Sequence, residues 1–285
     1  MAMPNLPDSV MTPGDVTALE SVAHVERTPC GDGDMVWRIW GEGEPVVLLH
    51  GGAGSWNHWV RNIAPLVRAG RRVLVPDMPG FGESAGPGGD DADSMPQWFE
   101  RGLATLLGEA TCDVAGFSLG ALVCGFLAVR YPKRIRRIVL SGAPALSAQA
   151  RPAIDLRPWQ AWPPGPRRDA VHRHNLRALM LAHDKSIDEL ALALHAGNAE
   201  RDRMRRRRLM RTDILLTMMP AIECPVDGIW GAEDALYRTR PHVIGDALRR
   251  APRFHSLELI PHAGHWVQYE RAAIFNDLLA RALSS

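Results

Sequence analysis

Excess charge of either sign is missing from this chain: 33 basic and 32 acidic residues among 285 leave a formal net charge of +1. That balance creates no global field to draw in nucleic acid or an anionic membrane, so neither partner is expected. Local charge is not net charge, however, and a small acidic substrate stays open. Long apolar runs are absent too. None approaches the roughly 18 residues of a membrane span. The opening Met1-Ala2-Met3-Pro4-Asn5-Leu6-Pro7-Asp8 has no basic start leading into an apolar stretch, so no secretory leader is expected. Cysteine is scarce: Cys30, Cys112, Cys124 and Cys224 are scattered without short paired spacing. This argues against a disulfide framework or a zinc motif, and for free, mostly buried thiols in a reducing cytoplasm.

What is present is apolar mass. Hydrophobic residues make up 46% of the chain, enough for a sizeable core, and the length suits one catalytic domain carrying an insertion. After a Pro-rich start read as irregular, strand-like runs cover Ser21 to Arg27 and Met35 to Trp40. The Gly-rich Cys30-Gly31-Asp32-Gly33-Asp34 between them has hairpin chemistry, which suggests an antiparallel edge. Val46 to Leu49, Val73 to Val75, Asp113 to Ala115, Ile138 to Leu140, Val226 to Trp230 and Ser256 to Ile260 follow. Several lack polar alternation, as strands covered on both faces do. Helical patterns separate several of them, so the expected fold is α/β with a mostly parallel, doubly wound sheet. From Ala145 to Met219 no strand pattern is legible. Residues 145–219 are therefore expected to form a helical lid, inserted into a core made of residues 1–144 and 220–285.

The strongest chemical signal is Gly116-Phe117-Ser118-Leu119-Gly120. It follows a strand and opens a helix whose apolar face is Leu119, Leu122, Val123, Phe126 and Leu127. A strand–turn–helix of this kind thrusts the serine hydroxyl out at the C-terminal edge of a sheet, which marks Ser118 as a nucleophile. Its base is expected at His265, in the loop after the last strand run, with His262 as the alternative. The acid that orients the base is expected at Asp234, after the Val226 to Trp230 strand, with Glu233 as rival. Two backbone N–H groups are needed to hold an oxyanion. Leu119 supplies one, and the loop His50-Gly51-Gly52-Ala53-Gly54 the other, at Gly52 or Ala53. His50 itself reads as a loop organiser. The expected pocket draws on Gly51, Ala53, Phe117, Trp159, Trp162 and Trp266. The run Arg205-Arg206-Arg207-Arg208 reads as a solvated face, one of whose arginines can meet a substrate carboxylate. No H-E-x-x-H spacing and no nucleotide-binding glycine fingerprint occurs, so neither metal nor cofactor is expected.

From Val36 onward the chain resembles the α/β-hydrolase superfamily. The matching pieces are His50-Gly51-Gly52, Asp77-Met78-Pro79-Gly80-Phe81-Gly82-Glu83-Ser84, the turn at Ser118, Trp230-Gly231-Ala232-Glu233-Asp234 and Gly264-His265-Trp266. Within it, Gly264 to Glu270, Gly51 to Gly54 and Arg61-Asn62-Ile63 are similar to meta-cleavage product hydrolases. That resemblance implies serine-dependent cleavage of an ester-like or vinylogous carbon–carbon bond in a small substrate. It also implies a lid arginine for the substrate carboxylate, and here the relevant stretch offers Asn198 or Arg201. Phe117 stands where that family often has a small polar residue. Acyl transfer on the same residues and a non-catalytic ligand receptor are the alternative functions. The oligomeric state, monomer or homodimer, is left open.

Overall fold

The computed structural model describes residues 11–89, 91–149, 152–204 and 206–284. The opening residues Met1 to Asp8 and Arg205 of the arginine run lie outside the described residues. The described residues form one sheet of eight strands: β1 (His24–Cys30), β2 (Gly33–Trp40), β3 (Glu44–Leu49), β4 (Arg71–Pro76), β5 (Cys112–Phe117), β6 (Ile135–Ser141), β7 (Val226–Gly231) and β8 (Phe254–Ile260). Their spatial order is β1-β2-β4-β3-β5-β6-β7-β8. β1 pairs antiparallel with β2, and β2 with β4, while every later pairing is parallel. The hairpin turns where Cys30 faces Gly33, with Gly31 at φ 59°. The mostly parallel sheet expected from the apolar runs is thus present, with its antiparallel edge.

The helices are α1 (Pro13–Ser21), α2 (Val60–Arg68), α3 (Pro96–Leu107), α4 (Leu119–Arg130), α5 (Pro166–Asn175), α6 (Glu189–Glu200), α7 (Ile214–Met218), α8 (His242–Leu248), α9 (Val267–Glu270) and α10 (Ala272–Ser284). Alternate residues of each central strand face opposite layers. Val47, Leu49, Leu74 and Val114 pack with α3, α4 and α8, whereas Val46, Leu48, Val73 and Val75 pack with α2 and α10. Burial on both faces explains the unalternated apolar runs: every residue of β5 and β7 is buried.

The N-terminal segment departs from the expectation of irregular chain. Thr12 caps α1 through a capping box with Asp15, and Pro13 occupies the first turn. Proline there is tolerated because that N–H has no intrahelical partner in any case, so β1 starts at His24 rather than Ser21. Between β6 and β7 the described residues contain no strand. They form α5, a π-helical turn (Leu176–Met180), α6, α7 and short 3-10 turns. All four cysteines are free and buried.

The steric heart of the sheet is the contact between β5 and α4. A Cβ on Gly116 would strike the Gly120 carbonyl and Ala121, and one on Gly120 would strike the carbonyls of Leu49 and His50. Replacing Gly120 by alanine should therefore lower stability by about 2–3 kcal/mol through overpacking, read as a lower midpoint in urea. An unchanged midpoint would mean that α4 can lift off β3 without penalty.

Candidate active site

Ser118 sits between β5 and α4 at φ 53°, ψ −115°, a region that non-glycine residues rarely occupy. Its amide donates to the Ser141 carbonyl on neighbouring β6 at 2.8 Å, which fixes the turn against the sheet. The next residue, Leu119, is the first of α4. A backbone N–H at that position has no intrahelical acceptor.

Two further loops close on the serine. His265 Nε2 lies 3.0 Å from Ser118 Oγ, and His265 Nδ1 lies 2.9 Å from Asp234 Oδ2. Both members of the second pair are almost completely buried. The Asp234 carboxylate also accepts the Leu236 amide at 2.9 Å. With the carboxylate on Nδ1, that nitrogen carries the proton and Nε2 is free to accept the serine's. Gly142, at φ 56°, brings backbone against the imidazole: a Cβ there would fall 2.8 Å from His265 Cε1. The Phe117 ring lies 5.0 Å from the imidazole. The rivals from the sequence lie elsewhere: Glu233 and the exposed His262 face one another at 3.6 Å, away from Ser118.

The histidine loop is held through Glu270. This buried carboxylate accepts the Gly264 amide at 2.7 Å and the amides of Ala182 and His183 at 3.0 Å each. The Trp266 amide donates to the Met180 carbonyl at 2.7 Å. Gly264 is required there, since a Cβ would come within 2.7 Å of the Ala182 nitrogen. Arg61 adds a second brace. It donates to the Tyr269 carbonyl and to Asp188, the cap of α6, and its guanidinium lies over the Tyr269 ring.

The glycine loop after β3 forms the opposite wall. His50 Nδ1 donates to its neighbour Gly51's carbonyl at 2.7 Å, and His50 Nε2 accepts the Met78 amide at 2.9 Å. Burial holds its pKa below the ordinary value, so it organises the loop as a neutral ring. Gly51 packs against Phe117 and Ser118, and Ala53 adopts φ 49°.

A cavity of about 460 Å³ opens on Ser118 and His265. Of the residues expected there, Gly52, Ala53, Phe117 and Trp159 line it. Gly51 stands just behind. Three others do not line it. Trp162 lies on the surface under Arg167. Trp266 is fully buried, bonded to the His58 carbonyl and stacked on Tyr269. Asn198 is turned into a polar junction with Ser55 and Asn57, because its buried amide finds its partners in the core beneath α6.

Among the lining residues that the sequence did not single out, Arg207 and His195 bear most on the chemistry. Arg207 stands over Gly52, with its guanidinium 3.1 Å from where a Cβ would be. It pairs with Asp202, lies over the Phe81 ring, and keeps its Nε buried without a partner. It also borders an adjoining cavity of about 540 Å³ that Ser118 and His265 line as well, and a mouth lined by Arg206, Arg208 and Arg211. His195 reaches the first cavity from α6, its ring 5.4 Å from His172. No periodic signal points to either, since an arginine run and a helical histidine are ordinary surface features.

Comparison with known proteins places this geometry. The pattern defining the alpha/beta hydrolase fold family matches residues 44–272. The chain belongs to that family. It is 30% identical over 275 residues to a 2-hydroxymuconate semialdehyde hydrolase of Pseudomonas putida, covering 86% of this chain and 88% of that protein. It is 28% identical over 253 residues to a 2-hydroxy-6-oxononadienedioate/2-hydroxy-6-oxononatrienedioate hydrolase of Comamonas testosteroni, covering 84% and 87%. Among solved structures, carboxylesterase CesB from Bacillus subtilis superposes with a TM-score of 0.78 at 18% identity, covering 95% of each chain. The meta-cleavage product hydrolase CumD from Pseudomonas fluorescens IP01 superposes with 0.71 at 23% identity, covering 88% of this chain and 94% of that one. The protein is an α/β hydrolase related to the 2-hydroxymuconate semialdehyde and similar ring-fission product hydrolases, and carboxylesterases share its fold.

Two measurements follow for this hydrolase. Replacing Glu270 by glutamine leaves one acceptor oxygen where two served three amides. Stability should fall by about 1–3 kcal/mol, and hydrogen exchange should quicken at Ala182, His183 and Gly264. Unaltered exchange there would show that the carboxylate is not the tie. Burial, and secondarily His172, lowers the His195 pKa to about 4 from the ordinary 6.5. Below about pH 6.5 the unfolded chain takes up a proton that the folded chain refuses, so this contribution to stability is lost as pH falls from 6.5 toward 4. His195→Gln should flatten the decline of melting temperature over that range. A slope equal to the wild type's would mean that His195 titrates normally.

Proposed function

We propose that the protein is a serine hydrolase that cleaves a carboxylic ester or a vinylogous carbon–carbon bond in a small substrate carrying a carboxylate. The observation that carries this reading is the continuous contact from Asp234 through His265 to Ser118 at the floor of a cavity overhung by Arg207.

His265 Nε2 takes the hydroxyl proton as Ser118 Oγ attacks the carbonyl carbon. The carbonyl oxygen becomes an oxyanion held by the amides of Leu119 and Gly52. Asp234 holds the imidazole tautomer and stabilises the imidazolium. The imidazolium then gives its proton to the departing oxygen or carbon as the bond breaks, leaving an acyl-enzyme on Ser118. Water, deprotonated by His265, repeats the attack and releases the acid. A departing carbon needs prior conversion of the substrate's enol to its keto form, so that the leaving carbanion is stabilised. None of these steps uses a metal or cofactor. Residues 145–219 act as a lid that supplies the cavity roof and keeps bulk water from the acylation step. Asn198 is occupied by Ser55 and Asn57 and Arg201 lies outside the cavity, so the carboxylate is assigned to Arg207, which stands over the oxyanion loop.

The test is a screen of purified protein against short esters and ring-fission dienones, in neutral and carboxylate-bearing pairs. Ser118→Ala and His265→Ala should each lower kcat by roughly 10⁴-fold or more, with little added by combining them. Arg207→Met should raise KM about 10–100-fold for carboxylate-bearing substrates, the worth of a charged hydrogen bond, and leave neutral esters unchanged. Near-normal kcat in His265→Ala, with loss in His262→Ala, would overturn the assignment of the base. Equal effects of Arg207→Met on both substrate classes would overturn the carboxylate contact.

A further inference from the structure

On the outer side of the two catalytic loops, three residues far apart in sequence converge. His183 comes from the segment between β6 and β7, Glu233 from the loop after β7, and His262 from the loop after β8. Their donor atoms all lie within 4.8 Å of one another. Glu233 Oε1 is 3.7 Å from His183 Nε2 and 3.6 Å from His262 Nδ1. Those separations are long for hydrogen bonds. They approach the spacing of two ligands on a tetrahedral ion, roughly 3.4 Å for metal–ligand bonds of about 2.0–2.2 Å. The His183 Nε2 is out of contact with solvent and has no hydrogen-bond partner, although an unsatisfied buried nitrogen is costly. It is aimed at the carboxylate and the second imidazole.

We infer that His183, Glu233 and His262 form a binding site for a divalent transition-metal ion of the zinc class. Two imidazole nitrogens and one carboxylate oxygen are the donors such ions prefer, whereas magnesium favours oxygen donors and retained water. The carriers are already positioned. The His183 amide is tied to Glu270, and the Glu233 amide donates to the Ala263 carbonyl at 2.8 Å. His262 holds a left-handed backbone at φ 56°, and its exposed ring leaves one side for a water as fourth ligand. None of the three lines the cavities around Ser118. The ion would therefore clamp the segment that carries His183 to the loops bearing Asp234 and His265, without touching the reacting atoms. The site is independent of which substrate is cleaved.

The test uses untagged protein stripped with EDTA and titrated calorimetrically with zinc chloride, with magnesium chloride as control. One equivalent of zinc should bind saturably, and at a hundredfold excess over Kd the melting temperature should rise by roughly 5 °C. His183→Ala and His262→Asn should each weaken the Kd at least tenfold. Asparagine tolerates the left-handed backbone and His262 is on the surface, so the second variant keeps the fold. Cobalt(II) should develop the visible absorption of a tetrahedral site in the wild type and lose it in both variants. The inference is overturned if zinc fails to bind at one equivalent. Unchanged zinc affinity in the double variant, or magnesium binding as tightly as zinc, would overturn it equally.

Discussion

The strained backbone of Ser118 is the constraint on which the arrangement depends. A serine at φ 53°, ψ −115° costs about 1–3 kcal/mol, and the surroundings must enforce it. They do so by leaving the chain no alternative. β5 is hydrogen-bonded on both sides, to β3 and β6, and the Ser118 amide is taken by Ser141. α4 must begin at once, because its N-terminal turn is pressed onto the carbonyls of Leu49 and His50. Gly116 and Gly120 are what let the helix come that close. The strain is local, and it is offset by the burial of α4, most of whose residues are inaccessible.

A fixed hydroxyl is useful only if the other two loops arrive at it with comparable precision, and each loop alone is short and irregular. Backbone-to-backbone contact supplies the precision. Gly231, beginning the Asp234 loop, lies directly against the carbonyls of Ala263 and Gly264, so acid and base loops are packed on each other. Glu270 then binds the base loop to the segment above through three amides. One carboxylate thereby couples the position of His265 to the segment that follows the cavity-lining Leu179 and Met180. A displacement of that segment at Ala182 and His183 would take with it the amides that help hold the histidine loop.

The legible and illegible parts of the sequence divide along this line. Strands buried on both faces declare themselves as unalternated apolar runs, and the loops of Ser118, Asp234 and His265 follow such runs directly, so their residues could be named. α1 is not legible because a Pro-rich opening reads as irregular chain, although proline at a first helical turn is favoured. Trp162 suggests a pocket wall as an aromatic of the segment's Pro-rich entry, Trp266 as the neighbour of His265, and Asn198 through the family resemblance. Trp266 is drawn into the core by the His58 carbonyl and the Tyr269 ring, whereas the places of Trp162 and Asn198 depend on the path of residues 145–219, which carries no sheet register. Arg207 was hidden inside an arginine run for the same reason. The grouping of His183, Glu233 and His262 joins three separate segments, and no spacing rule can show it.

A net charge of +1 said nothing about the substrate, yet the site is locally basic. Arg206, Arg207, Arg208 and Arg211 share the mouth with Asp202 as a nearby acid, and Arg207 alone reaches past it to Gly52. Its pairing with Asp202 and its stacking on Phe81 restrict the guanidinium before any ligand arrives, so little side-chain entropy remains to be lost on binding. On the proposed reading, a carboxylate held there lies on the same side as the oxyanion loop. Substrates whose carboxylate and scissile carbonyl are separated by only a few bonds then satisfy both contacts at once. Longer ones must give up either the arginine or the alignment with Ser118. Chain length between the two groups would thus be selected by backbone position rather than by pocket volume, and the two adjoining cavities of a few hundred Å³ at the serine leave room for varied groups elsewhere on the molecule.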